Sequence, residues 1–208
     1  MAVTRPLTER SFRRSARSLA GDDAALAAIV AQHGLPDFWA RSPGFGTLLL
    51  LILEQQVSLA SAKAAYDRVA GRTGGVTPSA LLGLSDAELR ADGFSRQKTR
   101  YARELALSVL ERRLDLEALE RLPDDDVRRE LVALPGIGPW TAEVYLLSAL
   151  RRPDTWPTGD LALQEAARRV LALPARPSPA ELDAIGERWR PHRATAARLL
   201  WHLYLSER

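Results

Sequence analysis

Apolar side chains recur every three to four residues along most of this 208-residue chain, and no useful stretch alternates apolar with polar residues as a half-buried strand must. That pattern confines the fold to helices packed through their apolar faces, an all-α class. Asp22 and Asp23 stand before a helix predicted to run through Ala31, with Leu26, Ile29 and Val30 on one face and Gly34 as its stop. Two consecutive helices, the first strongly apolar, are predicted from Gly44 to about Val69, before Gly71, Gly74 and Gly75 break the chain. Thr77-Pro78 and Ser85-Asp86 read as short-helix starts, because Thr and Ser cap and proline suits the first helical position. A long helix is expected from Ser95 to Arg112, a helix pair at Pro123–Leu134 and Pro139–Leu150, and another helix from Asp160 to about Leu171. Beyond the prolines at 174, 177 and 179, helices from Pro179 to Trp189 and from Pro191 to Leu205 complete the set.

Composition removes whole classes of chemistry. With no cysteine, disulfides, Cys-ligated zinc and iron–sulfur clusters are excluded. His33, His192 and His202 are scattered without metal-ligand spacing. The longest apolar run, Leu48–Leu53, is far short of the ~20 residues a membrane helix needs. No leader pairs a basic start with an apolar stretch and a small-residue cleavage site, so a cytoplasmic protein is expected. The net charge is only +3, yet the basic residues are segregated. Arg5, Arg10, Arg13, Arg14 and Arg17 face a single nearby acid, Glu9, and Arg96, Lys98, Arg100, Arg103, Arg112 and Arg113 face only Glu104 and Glu111. Such patches suit a polyanion such as nucleic acid, although an arginine-rich solvated surface would look the same.

The sharpest local feature is Leu134–Ala142, LPGIGPWTA. Its glycines, Gly136 and Gly138, bracket a turn between two helices and can adopt backbone angles closed to other residues. Pro139 suits the first position of the second helix, whose bare N–H groups would face outward. A phosphate can bind there, and such a contact reads no base sequence. A plain helical hairpin with a Gly-rich turn would also explain the segment. Asp160, in TGDLAL at 158–163, fits an N-cap of the helix that follows.

Taken together, LPGIGPWTA and the aspartate that follows it resemble the helix–hairpin–helix DNA glycosylase superfamily. LEQQVS at 53–58, GFSRQK at 93–98, and WRPHR at 189–193 followed by Trp201 resemble its 3-methyladenine DNA glycosylase II branch. The resemblance covers about residues 44–204. It implies an all-α, two-lobed fold with a central cleft: residues 45–150 form a central lobe ending in the helix–hairpin–helix at 123–150, and residues 1–44 with 151–208 form the other lobe. It further implies a monofunctional glycosylase that hydrolyses the N-glycosidic bond of alkylated purines, of the 3-methyladenine and 7-methylguanine type, in base excision repair. The expected partner is double-stranded DNA carrying damaged bases, met by a monomer near the nucleoid and away from any membrane. The other readings are a glycosylase for deaminated or mismatched bases and a non-catalytic helix–hairpin–helix DNA-binding module.

The same resemblance assigns roles residue by residue. Asp160 becomes the catalytic carboxylate, and Trp140 and Trp201 become base-pocket aromatics. Tyr145 stands beside Val144, which occupies the place of a further pocket tyrosine. Gly136, Ile137, Gly138 and Thr141 would meet the DNA backbone at the hairpin. Gln55 or Gln56 would fill the gap left by an extruded base, with Ser58 in the same turn, and Arg96 and Lys98 would contact phosphates. The backbone carbonyls of Val132, Leu134 and Ile137 are candidate ligands of a structural Na+ or K+; no cofactor is otherwise required. Trp39, Trp156 and Trp189 are expected in the core. No N-terminal β-rich domain of the kind some relatives carry is expected before the basic segment, and the chain has no cluster-binding cysteines. Trp140 stands where bifunctional members carry a lysine, so no lyase step is expected.

Overall fold

The computed structural model describes residues 5–207; residues 1–4, which the sequence reading joins to the N/C-terminal lobe, and residue 208 lie outside the described residues. The described residues hold twelve α-helices and two short 3-10 turns, without a strand. In chain order these are α1 (Glu9–Asp22), α2 (Ala24–His33), α3 (Phe45–Glu54), α4 (Leu59–Thr73), α5 (Pro78–Leu82), α6 (Asp86–Ala91), α7 (Arg96–Leu110), α8 (Asp124–Val132), α9 (Pro139–Ser148), α10 (Leu161–Val170), α11 (Pro179–Gly186) and α12 (Arg193–Ser206). Among the described residues no helix is long and apolar enough to cross a membrane. The capping chemistry read from sequence is present. Thr77, Ser85, Ser95 and Asp160 each accept a backbone N–H in the first turn of the helix they precede.

In the sequence, α1 is visible only as a basic segment. Its apolar face is carried by Phe12, Ala16 and Leu19, all buried together with Ser15, and Thr8 with Ser11 closes a reciprocal cap at its start. Arginines crowd the other positions and dilute the apolar signal, which is why the period is hard to see.

The chain divides into two compact units, residues 41–145 and residues 5–40 with 146–207. In the first, α3 is the buried centre. Leu48, Leu49, Leu51, Ile52 and Leu53 are all essentially inaccessible, so this helix is apolar around most of its circumference and is covered by α4 and α7. The second unit is organised around α12, which packs on α1, α2 and α10. Its core joins Leu26 and Ile29 to Leu163, Ala166, Leu199 and Leu200. Trp156 and Trp189 lie inside it edge to face, with centroids 5.3 Å apart. Their indole N–H groups donate to the Leu182 carbonyl and to Asp23 Oδ2, both at 2.9 Å.

Asp23 therefore does more than start a helix. Its Oδ1 accepts the N–H groups of Ala25 and Leu26 to cap α2, while Oδ2 takes Trp189 and the Arg188 guanidinium. Burial opposes its ionisation, but the donors from Trp189, Arg188 and Leu26 outweigh that effect and hold the carboxyl below its ordinary range. Asp23→Ala should lower unfolding free energy by about 2–4 kcal/mol, seen as a lower denaturation midpoint at unchanged slope. Because the folded-state pKa is depressed, the stabilisation from Asp23 is present above the unfolded carboxylate pKa and is lost as pH falls through the folded one. The stability gap between wild type and Asp23→Asn should accordingly close in strong acid.

Candidate functional site

The hairpin belongs to the first unit. Three aspartates, Asp124 to Asp126, open α8, where the helix dipole favours negative charge. The chain then turns through buried Leu134 and Ile137, with the Ile137 N–H donating to the Leu134 carbonyl at 3.1 Å. Arg128 of α8 pairs with Glu143 of α9 and ties the two helices together. Gly136 has φ +88°, and a Cβ there would sit 2.2 Å from Cγ of Tyr101, so only glycine fits. Gly138 differs from the sequence reading: a Cβ on it meets nothing within 4 Å.

Two residues assigned to DNA fasten this turn from inside. Gln55 Nε2 donates to the Gly136 carbonyl at 2.8 Å and to Thr141 Oγ1 at 3.1 Å, and Thr141 is buried. Their side chains are engaged with each other and with the hairpin, and Ile137 likewise turns its side chain into the protein. Tyr145 is corrected too. It is fully buried, its phenolic oxygen accepts the Gly44 N–H at 2.9 Å, and burial pushes its pKa to about 12. A side chain sealed in the core of this unit cannot line an open base pocket. Trp140, one residue past Pro139, is partly exposed at the start of α9.

The turn after α3 separates the two glutamines. Gln55 points inward as described, whereas Gln56 is exposed and adopts φ +59°, a left-handed geometry uncommon outside glycine. Val57 and Leu59 beside it are exposed apolar residues. Ser58 Oγ accepts the Ser61 N–H and caps α4. Lys98 is not presented as a free surface amine. Its Nζ donates to the Leu53 carbonyl at 2.6 Å, and partial burial lowers its pKa. Arg96 is exposed at the start of α7.

The second unit holds the carboxylate. Asp160 Oδ1 accepts the Leu163 N–H at 2.8 Å, which makes it the N-cap of α10, and the Trp201 Nε1–H at 3.0 Å. Cap and candidate catalyst are thus one residue, held by one donor from its own helix and one from α12. Trp39, expected in the core, is instead 37% exposed and packs on Trp201 with ring centroids 5.8 Å apart. It lies in the irregular stretch between α2 and α3, where no periodicity could indicate which way it faces. The structure therefore joins Asp160 to Trp201 and adds Trp39, while Trp140 and Tyr145 belong to the other unit. Among the described residues, no three His, Cys, Asp or Glu side chains gather as a metal site.

The hairpin geometry makes opposite forecasts for its two glycines. Gly136→Ala should destabilise the protein by about 2–4 kcal/mol, through both the Tyr101 clash and the positive φ. Gly138→Ala should stay within about 1 kcal/mol of wild type in the same denaturation assay.

Comparison with known proteins bears on the same segments. Residues 49–191 match the model of the HhH-GPD superfamily of base excision DNA repair proteins. YfjP of Bacillus subtilis is 28% identical over 185 residues, covering 85% of this chain; the chain spans 64% of YfjP's length. The solved 3-methyladenine DNA glycosylase Mag1 of Schizosaccharomyces pombe, in complex with abasic DNA, superposes with a TM-score of 0.84 at 26% identity, covering 90% of this chain and 95% of that one. The DNA-3-methyladenine glycosidase of Bacillus halodurans gives a TM-score of 0.79 at 29% identity, covering 100% of this chain and 94% of that one. A chain whose described residues are helical throughout its regular structure and carry this hairpin, with the family match running through both the hairpin and Asp160, belongs to the HhH-GPD superfamily of base excision DNA repair proteins.

Proposed function

We propose that this chain is a monofunctional DNA glycosylase that releases alkylated purines, of the 3-methyladenine and 7-methylguanine type, from double-stranded DNA in base excision repair. The observation that carries this reading is the doubly held Asp160 carboxylate beside Trp201 and Trp39. Breaking an N-glycosidic bond builds positive charge on the sugar, and a fixed carboxylate stabilises that charge and orients the attacking water. The damaged base must leave the stack to reach such a group. Indole faces favour an alkylated purine that carries positive charge, and Trp201 offers one beside the carboxylate; the resemblance adds Trp140. Charge on the base also weakens the bond to the sugar, so little help is needed for its departure.

Absence of a lyase step follows from the lysines. Lys63 pairs with Asp67 on α4, and Lys98 is bonded to the Leu53 carbonyl, so neither amine stands at the hairpin position filled by Trp140. Gln56, exposed on a left-handed turn between Gln55 and Val57, is the residue we assign to fill the gap in the duplex. Backbone N–H groups at the start of α9 would bind phosphate together with Arg96. Arg10, Arg14 and Arg17, exposed on α1, add a further basic surface for the DNA backbone. The Val132, Leu134 and Ile137 carbonyls suit a hard monovalent cation. Val132 closes α8, where carbonyls lack helical partners, and the Leu134 oxygen, though bonded to Ile137 N–H, retains a second lone pair. The protein would act as a monomer on chromosomal DNA in the cytoplasm and need no organic cofactor.

A panel of duplexes bearing 3-methyladenine, 7-methylguanine, hypoxanthine, ethenoadenine or uracil tests this reading. The methylated purines should be released, leaving an intact strand with an abasic site and no product trapped by borohydride. Preferential release of uracil or hypoxanthine would move the substrate class, and a nicked, trappable product would overturn the monofunctional assignment. Asp160→Asn should slow single-turnover release by about 10²–10³-fold or more while DNA affinity stays within a few-fold. Near-normal turnover in that variant would refute the role given to Asp160. Replacing Arg10, Arg14 and Arg17 together by alanine should make the plot of log Kd against log salt shallower by about 2–3, since each phosphate neutralised by the protein accounts for ~0.9 of that slope.

A further inference from the structure

Arg198, in the middle of α12, is one of the least accessible side chains of the protein at 1% exposure. Its Nη2 donates to the Leu147 carbonyl at 3.0 Å, but Nε and Nη1 find no acceptor among the described residues. No ion pair among the described residues includes it either, so a cation has been buried with two donors unmatched. Such an arrangement is unfavourable, and an apolar side chain of similar length would fill the same volume without the penalty. Something other than packing must account for a guanidinium here.

The neighbours supply the reason. The guanidinium carbon lies 4.3 Å from the centre of the Trp39 ring and 5.1 Å from that of Phe38. Phe38 is in turn held by the buried Phe12 of α1, at 5.5 Å between centroids. A planar, weakly hydrated guanidinium is the cation best suited to stack on an indole. Trp39 is otherwise poorly anchored, being partly exposed in a segment without helical hydrogen bonds. Its exposed ring packs on Trp201, and Trp201 donates to Asp160 Oδ1. A continuous series of contacts thus runs from Phe12 through Phe38, Arg198, Trp39 and Trp201 to the carboxylate, entirely within the second unit.

We propose that Arg198 is a positioning residue: its buried guanidinium clamps Trp39 against Trp201 and thereby fixes the indole that orients Asp160. The role is indirect, since Arg198 reaches the carboxylate only through two tryptophans. Burial lowers the Arg198 pKa to about 10, which still leaves it charged at neutral pH and able to stack as a cation. The proposal rests on Asp160 being the catalytic carboxylate. It adds that the precision of that carboxylate is set from the protein interior and not by the helix cap alone.

The test combines kinetics, stability and an optical signal. Arg198→Met should fold with a melting temperature close to that of wild type, because removal of two unmatched donors offsets loss of the bond to the Leu147 carbonyl and of the stacking. It should slow single-turnover release of whichever base the wild type removes by about 10–100-fold, with Kd for the lesion duplex within about threefold. Arg198→Lys, which keeps the charge but not the planar fork, should recover part of the rate. The near-UV circular dichroism of the tryptophans should change in Arg198→Met, and this needs no substrate. Should Arg198→Met fail to fold, Trp39→Leu at the exposed end of the series carries the test, with the same rate loss expected. It should also be non-additive with Trp201→Phe. A folded Arg198→Met or Trp39→Leu protein with wild-type release rate would overturn the proposal. A wild-type protein that releases no base would refute the functional reading instead; the positioning role would then stand or fall on the dichroism, and an unchanged tryptophan signal in Arg198→Met would overturn it.

Discussion

A helix N-terminus leaves backbone N–H groups that must find acceptors, and in this protein the acceptors are the residues around which everything else is arranged. Asp23 satisfies α2 and, with its second oxygen, receives Trp189 and Arg188. Asp160 satisfies α10 and receives Trp201 on the same oxygen that caps the helix. Each carboxylate accepts from its own helix and from a distant aromatic, so each joins local structure to packing. For Asp160 the consequence bears on the catalytic role proposed for it. A carboxylate whose orientation is enforced from two directions reorganises little when charge develops beside it, which is the condition under which electrostatic stabilisation works best.

The hairpin in the first unit solves a different problem with the same means. A turn that is to offer its backbone to a polyanion, as proposed for this one, cannot carry bulky side chains outward, and it must be held from behind. Gly136 leaves space for Tyr101, Ile137 is buried, and Gln55 spans from the Gly136 carbonyl to Thr141. Polar residues that look from their sequence like surface contacts are here the fastening of the loop. The same logic separates the neighbouring glutamines, one inward and bonded, the other outward on a left-handed turn.

Charge is distributed in keeping with this division. The net charge is small, and many arginines are engaged in ion pairs such as Arg128 with Glu143, Arg72 with Asp92 and Arg168 with Glu165. The pairs differ in setting: Asp92 and Glu143 are largely buried and bridge separate helices, whereas exposed pairs within one helix, such as Lys63 with Asp67, contribute little to stability individually. Other arginines stand apart from these pairs. Arg10, Arg14 and Arg17 are exposed on α1, and Arg198 is buried under an indole. Composition alone cannot sort these populations, because the same side chain stands paired with an acid, exposed on a helix or stacked beneath an aromatic ring.

Read alone, the sequence specifies the helical class, most helix starts and the hairpin turn, because periodicity, capping residues and the Pro/Gly punctuation act over a few neighbouring positions. It also excluded cysteine chemistry and left the hairpin without the lysine a lyase would need. Which polar residues face inward depends instead on how distant segments pack. Thr141, Gln55, Lys98 and Tyr145 each carry a polar group that could serve a ligand, and each commits it to a partner distant in the chain: Gln55 to Gly136 and Thr141, Lys98 to Leu53, Tyr145 to Gly44. Trp39 and Arg198 were illegible for the complementary reason. Their positions depend on each other and on Phe38 and Trp201, across about 160 residues of chain, and no local pattern encodes a contact that forms only when distant helices pack.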